Sequence, residues 1–243
     1  MKTALLTRTN TLIVVPAFNE AASVAAVIND IRSEGFMVVV VDDGSSDGTA
    51  PIARANGAEV VSMPINMGVG GALRCGFRFA VDNGYEAVIQ CDADGQHHAK
   101  YLTDLIDANN HSGAHMVIGS RFRSDQNRHE PNRLRRFAMW CLSRVARRAT
   151  AYPITDSTSG FRIIRQPLLG ELAIKLPNYY LGDTFETVVV AGRAGYQIEE
   201  IGVAMAPRAS GTSSASSGTA ILLIAKVLVT VLLGIHFRLR RLK

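Results

Sequence analysis

Apolar residues in this chain come in short blocks separated by polar turns. Leu12-Ile13-Val14-Val15-Pro16, Met37-Val38-Val39-Val40-Val41 and Tyr85-Glu86-Ala87-Val88-Ile89-Gln90-Cys91 are near-continuous apolar runs of strand length, the mark of strands buried on both faces. Glu59-Val60-Val61-Ser62 and Met116-Val117-Ile118-Gly119-Ser120-Arg121 read as two more strands. Between them lie segments of helical period: Ala21 to Ser33 with Asn19 as its N-cap, a short helix from near Thr49, and Val69 to Val81. Alternating strand and helix predicts an α/β fold, with right-handed crossovers and a mostly parallel sheet covered by helices on both faces. Leu134, Phe137, Ala138, Cys141, Leu142 and Val145 recur at helical spacing with arginines opposite, which reads either as a helix packed on the sheet or as a membrane-surface helix.

The end of the chain changes character. Ala209 to Gly218 is a Ser/Gly-rich linker, so the expected organisation is a catalytic domain over 1–208, the linker over 209–218 and an apolar, basic-ended helix over 219–243. Thr219 to Phe237 would make a helix of about 28 Å, close to the roughly 30 Å of a bilayer core. Lys226 sits on a narrow polar stripe with Thr219 and Thr230 that suits a partner helix, either a second copy of this chain or a small membrane protein. Arg238-Leu239-Arg240-Arg241-Leu242-Lys243 suits anionic lipid on the cytoplasmic side. Membrane association through this segment is the expectation, with a buried or oligomer-forming helix as the other reading.

With 243 residues, 47% of them hydrophobic, the chain can fill a sizeable core. Its formal net charge of +5 is unevenly placed: nine arginines lie between Arg121 and Arg148 against Asp125 and Glu130 alone, so that stretch expects an anionic partner. Cys75, Cys91 and Cys141 have neither disulfide nor zinc spacing. Met1 to Asn10 lacks an apolar core of signal-peptide length, and the expected place of the catalytic part is the cytosol.

In a parallel sheet, ligands bind beyond the carboxyl ends of the strands, and polar clusters follow Pro16, Val41 and Cys91. The most pointed is Asp92-Ala93-Asp94. Two carboxylates at that spacing repel each other unless a cation intervenes, and a hard divalent ion bridging them to substrate phosphates is the natural partner. Helix capping is the bland alternative. A calcium loop is excluded, because Gln96 and His97 stand where that loop needs Asp or Asn and then Gly. A nicotinamide-binding loop at Gly68-Val69-Gly70-Gly71 is disfavoured by Leu73, which stands where Gly is required.

Val15-Pro16-Ala17-Phe18-Asn19-Glu20, Asp42-Asp43-Gly44-Ser45-Ser46-Asp47-Gly48 and Asp92-Ala93-Asp94 together resemble the family 2 glycosyltransferases with the GT-A fold. Asn66-Met67-Gly68-Val69-Gly70-Gly71, Asp92 to His97, Gly119-Ser120-Arg121, Ser159-Gly160-Phe161-Arg162 and Arg208 to Ser213 narrow that likeness toward polyprenyl-phosphate sugar transferases of the dolichyl-phosphate mannose synthase type, over roughly residues 11 to 214. Glu186, Gly195-Tyr196 and Glu200 fall where that family has its late helix and final strand.

The resemblance implies an inverting transfer from a nucleotide sugar to a polyprenyl phosphate at the cytoplasmic membrane face. It implies nucleotide contacts from Pro16, Ala17, Phe18, Glu20, Asp43, Gly68, Asp92 and Arg208, and Mg2+ or Mn2+ on Asp92, Asp94 and Gln96. Acceptor phosphate would meet Arg121, Arg123 and Arg208, with Asp94 and Arg121 at the chemistry. A guanidinium fork matches phosphate oxygens well. Asp42 and Asp47 also read as turn and cap residues, and that reading is preferred for Asp47. Ser214 stands where the family carries a basic residue, a loss that Arg121, Arg123 or Arg128 would make up. Were the acceptor a sugar hydroxyl of a growing glycan, a protein base would be needed, and Asp183 or Asp156 is the candidate, Asp156 before Ser157-Thr158-Ser159-Gly160 reading equally as a turn residue. A catalytically silent membrane adaptor on the same fold is the reading from another class. No feature of the chain calls for nucleic acid.

Overall fold

The computed structural model describes residues 4–123, 143–144, 146–148, 150, 152–177, 182–206 and 238–242, with backbone only at 182 and 183. Seven strands form one sheet: β1 (Thr11–Ala17), β2 (Met37–Asp42), β3 (Glu59–Ser62), β4 (Ala87–Gln90), β5 (Met116–Ser120), β6 (Arg162–Arg165) and β7 (Ile198–Gly202). Their spatial order is β3-β2-β1-β4-β6-β5-β7. All neighbours run parallel except at β6, which is antiparallel to both β4 and β5. The expected α/β architecture is present. Hydrophobic patterning marked neither β6 nor β7: Arg162-Ile163-Ile164-Arg165 offers only two apolar residues between two buried arginines, and Ile198-Glu199-Glu200-Ile201-Gly202 only two as well.

Successive side chains in a strand point to opposite faces, and both faces here meet helices. Leu12, Val14, Val39, Val41 and Val88 join one core with α3 (Val69–Asp82), α5 (Leu168–Lys175) and α6 (Gly182–Arg193). Ile13, Val15, Val38, Val40 and Ile89 join the other, with α1 (Val24–Ser33), α2 (Thr49–Ala55) and α4 (Tyr101–Ser112). Each fully buried aliphatic side chain contributes roughly 1.5–3 kcal/mol, so central strands with no polar face are where most of the stability resides.

α3 lies close on the sheet because Gly76 faces Val14: a Cβ there would come within 2.3 Å of Val14 Cγ1. Gly76→Ala gains a little helix propensity but overpacks a rigid strand, and should cost about 1–3 kcal/mol. A lowered urea midpoint with unchanged slope checks this; an unchanged or higher midpoint contradicts it.

The first helix begins at Val24 rather than Ala21, and Asn19 does not cap it. Asn19 instead sits in left-handed backbone at φ 56° and ties two loops together: its Oδ1 accepts from the Ser46 N–H at 2.9 Å, and its own N–H donates to Ser45 Oγ at 2.9 Å. Most of the segment from Leu134 to Val145, and the apolar segment 219–237, lie outside the described residues. No described helix is long and apolar enough to cross a membrane. Residues 238–242 run along α5 and α6: the Leu242 N–H donates to Ala194 O at 2.9 Å, the Arg240 N–H to Glu171 Oε2 at 3.0 Å, and Leu239 packs against the core. The arginines of this basic run stay exposed.

At the far end of the sheet from the β1 to β4 junction, His115 accepts the Gln197 N–H on Nδ1 at 3.1 Å and meets Tyr196 edge-on at 5.2 Å. Burial, helped by Arg165, holds its pKa below the ordinary 6.5. Below pH 6.5 the unfolded chain therefore takes up a proton that the folded chain refuses, and stability present above that pH declines on acidification. Thermal midpoints should fall from about pH 6.5 downward, less steeply in His115→Asn; an equal slope in that variant would remove His115 from the explanation.

Candidate active site

The chain runs from β1 outward to β2 and β3, then returns to β4 on the other side of β1. This makes the carboxyl ends of β1 and β4 a topological switch point, where a cleft opens in α/β sheets. Loops after β1, β2 and β4 meet there. The Asp43 N–H donates to Ala17 O at 2.8 Å, joining the first two. Pro16 and Ala17 lie within β1, paired to Val41 and Asp42, and Phe18 is exposed beyond them.

Asp43 is 3% exposed, and each of its oxygens accepts a backbone N–H, from Met67 at 2.7 Å and from Gly68 at 2.8 Å. Burial raises its pKa and Asp42 adds to the rise, although those two donors work against it. Asp43 thus fixes the turn that opens α3. Gly68 holds that turn at φ 82°, a conformation that disfavours any residue with a Cβ.

Asp47 accepts from the Thr49 hydroxyl at 2.6 Å and N–H at 3.1 Å, and from the Ala21 N–H at 3.0 Å. It is the turn and cap residue expected: burial pushes its pKa up, the three donors outweigh that, and the result lies below the usual carboxylate value. Glu20 is held by the Ser23 hydroxyl on Oε2 at 2.7 Å, while its N–H donates to Thr49 Oγ1 at 2.9 Å.

After β4 the Asp92 carboxylate stays 39% exposed. Its backbone N–H donates to His97 Nδ1 at 3.0 Å, which leaves the proton of the neutral imidazole on Nε2, 3.8 Å from Asp92 Oδ2. Burial depresses the His97 pKa despite the nearby Asp92 and Asp94 charges, and its ring stacks on Phe161 at 4.8 Å. Asp94 is buried and takes the Gln96 N–H at 3.0 Å. Gln96 O accepts from Ala206 N at 3.0 Å and His97 bridges Met205, so the chain leaving β7 is clasped to the acidic turn. Two residues further on comes Arg208, outside the described residues.

Arg121, just after β5, closes a fork on Asp156: Nε to Oδ2 and Nη2 to Oδ1 are both 2.7 Å, and the Arg121 N–H adds a bond to Oδ2 at 3.0 Å. Burial works against the guanidinium charge, but Asp156, with help from Asp92, keeps it protonated above its ordinary range. Asp156 is 1% exposed, and its own N–H is fixed on Glu200 Oε1 at 2.6 Å. Both oxygens of Asp156, the candidate base for a hydroxyl acceptor, sit in the fork with Arg121, out of solvent. Glu200 also binds Arg123, Nε to Oε2 at 3.2 Å, beside a cavity of about 260 Å³ lined by Tyr152, Pro153 and Glu199. Arg123 faces β7 through these contacts rather than Asp156. The Asp183 side chain is not among those described.

His97 and Glu200 act on partners that only the fold brings to them, the Asp92 and Asp156 backbone N–H groups. His97 stood in the acidic block without a function of its own; only folding brings its ring back onto the Asp92 amide.

Among the described residues, no group of three His, Cys, Asp or Glu side chains forms a metal cage. Asp92 and Asp94 nevertheless fit a hard divalent ion carried in with a diphosphate, because such ions take one or two protein carboxylates and fill the rest of their shell with phosphate oxygens and water. The exposed Asp92 carboxylate supplies the open oxygen donors this requires.

The sequence profile of Glycosyl transferase family 2 matches residues 12–173, and the chain belongs to that family and is a glycosyltransferase. It is 30% identical over 217 residues to the undecaprenyl-phosphate mannosyltransferase of Micrococcus luteus, covering 85% of this chain and 88% of that one. With the polyprenol monophosphomannose synthase of Mycolicibacterium smegmatis it shares 27% identity, over 85% of this chain and 81% of the other. Its fold resembles that of glucosyl-3-phosphoglycerate synthase from Mycobacterium tuberculosis, solved in complex with Mn2+ and UDP-glucose, at a TM-score of 0.67 and 21% identity over 92% of this chain and 78% of that one.

Proposed function

We propose that this glycosyltransferase moves a sugar, with inversion, from a nucleotide sugar to the phosphate of a polyprenyl phosphate at the cytoplasmic face of the membrane. The observation that carries the proposal is the Arg121–Asp156 pair. With Asp156 held in the fork, the site suits an acceptor that carries its own negative charge, as a lipid phosphate does with a second pKa near 6. A glycan hydroxyl would need the base that Asp156 does not offer. The names of the two bacterial relatives favour the same acceptor class.

Pro16 to Glu20, Asp43, Gly68 and Arg208 receive the nucleotide; Asp92, Asp94 and Gln96 are the residues that would hold Mg2+ or Mn2+, a role favoured by the Mn2+ complex of the structural neighbour. When bound, the metal supplies positive charge to the departing diphosphate. Arg121, with Arg123 and Arg208, orients the acceptor phosphate. A phosphate oxygen of the acceptor forms its bond to the anomeric carbon from the face opposite the leaving diphosphate, the bond from that carbon to the diphosphate oxygen breaks, and the nucleoside diphosphate leaves with the electron pair. No protein proton moves. The apolar segment 219–237 and the exposed arginines of the terminus bring the enzyme to the lipid surface.

The test is a contrast of acceptors. Transfer from a panel of nucleotide sugars to polyprenyl phosphate, with none to the matching polyprenol, supports the proposal. Transfer to a glycan hydroxyl in place of the lipid phosphate overturns it.

A further inference from the structure

The geometry points to Gly160 as the residue that seats the Asp92 carboxylate, with the turn Ser159-Gly160-Phe161 acting as a fixed wall behind it. This rests on the proposed metal role of Asp92. A Cβ built on Gly160 would lie 3.1 Å from Asp92 Oδ2, 3.2 Å from Asp92 Oδ1 and 3.2 Å from Gln90 Nε2. Gly160 is not among the glycines with positive φ, so its backbone makes no demand for glycine; the space it leaves is filled by Asp92 and Gln90.

Whether an added methyl moves the turn or the carboxylate depends on which is held more firmly. The turn is pinned on both sides of Gly160. Ser159 Oγ donates to Gly119 O at 2.7 Å, the Gly119 N–H donates to Phe161 O at 2.8 Å, and Arg162 grips Ser159 O through Nε at 3.1 Å and through Nη2. The Phe161 ring is 1% exposed and stacks on His97, which in turn holds the Asp92 amide. Asp92, by contrast, faces the cleft with a partly exposed side chain. The carboxylate therefore gives way, by a few tenths of an ångström. Metal ligation tolerates about 0.2 Å. Through this turn, which leads into the antiparallel strand β6, the position of a group just beyond β4 is set, a role that the Ser159 to Arg162 motif does not disclose in the sequence.

The test is Mn2+ binding to the whole protein, read from the electron paramagnetic resonance of free Mn2+, with and without UDP or GDP. For Gly160→Ala we expect a thermal midpoint near that of the wild type and Mn2+ affinity weakened about tenfold or more, the loss usual when a group supporting a metal ligand is disturbed. His97→Asn keeps an acceptor for the Asp92 N–H but loses the stacked ring, and should weaken Mn2+ binding in the same sense; it carries the test if Gly160→Ala does not fold. Wild-type Mn2+ affinity in folded Gly160→Ala would overturn the seating role while leaving the proposed function standing. Absence of Mn2+ binding by the wild type, with and without either nucleotide, would overturn the metal role of Asp92 and this inference with it.

Discussion

Asp94→Asn should lower turnover by about 10²–10³ or more while leaving the fold in place, the size of loss seen when a preorganised charge-stabilising group is removed. The substitution is nearly isosteric, and the Asn carbonyl can still accept the Gln96 N–H that Asp94 takes at 3.0 Å. What disappears is one negative charge at the edge of the sheet, in a buried position where charge counts for more than in water. Under the proposed metal role, fewer anionic oxygens would be left to hold the cation that would neutralise the departing diphosphate. Turnover at saturating Mg2+ or Mn2+, set beside a thermal melt, measures both halves. Activity within threefold of the wild type would end the metal assignment of Asp94.

Asp156→Ala should chiefly destabilise the protein. Removing Asp156 takes from Arg121 the carboxylate that holds its fork, leaving the Thr158 hydroxyl and the nearby Asp92 charge; breaking a buried ion pair in this way costs about 3–5 kcal/mol. Arg121 keeps 30% of its side chain in solvent, so the low end, about 3 kcal/mol, is the expectation. For a chain of this size that is roughly 6–12 °C in thermal midpoint. Asp156→Asn restores one acceptor and should recover much of the loss, with residual activity that shows a raised KM for the acceptor more than a lowered kcat. A general base behaves in the opposite way: Asn at full stability would abolish turnover at every acceptor concentration. Loss of kcat alone, with an unshifted melt, would return Asp156 to the role of base.

These two residues also mark how far the sequence could be read. The strands, and the place of Asp92 and Asp94 just beyond β4, are legible because their signals are local: a buried parallel strand has no polar face, and the carboxylate pair follows directly on its end. β1, β2, β3 and α3 emerge within a residue or two of their expected bounds for the same reason. What stayed hidden depends on partners far along the chain. Asp156 lies 35 residues from Arg121 and 44 from Glu200, so nothing in its own neighbourhood distinguishes a base from a buried counter-ion. β6 was missed because its ends are Arg162 and Arg165, whose charges are met by Ser159 O and Thr184 O at one end and by Asn109 at the other. Asn19 has the composition of a cap but bridges Ser45 and Ser46, a choice made by the meeting of the β1 and β2 loops.

The central claim is that the carboxylates beside β4 and the Arg121–Asp156 pair serve transfer of a sugar to a lipid phosphate. It is tested most directly by mass spectrometry of the lipid extract after the protein is incubated with a nucleotide-sugar panel, Mg2+ or Mn2+, and polyprenyl phosphate. The predicted result is a polyprenyl-phosphate sugar, formed only with metal, whose anomeric linkage is inverted relative to the donor. A product with retained configuration, or consumption of the donor with the lipid phosphate left unmodified, would contradict it.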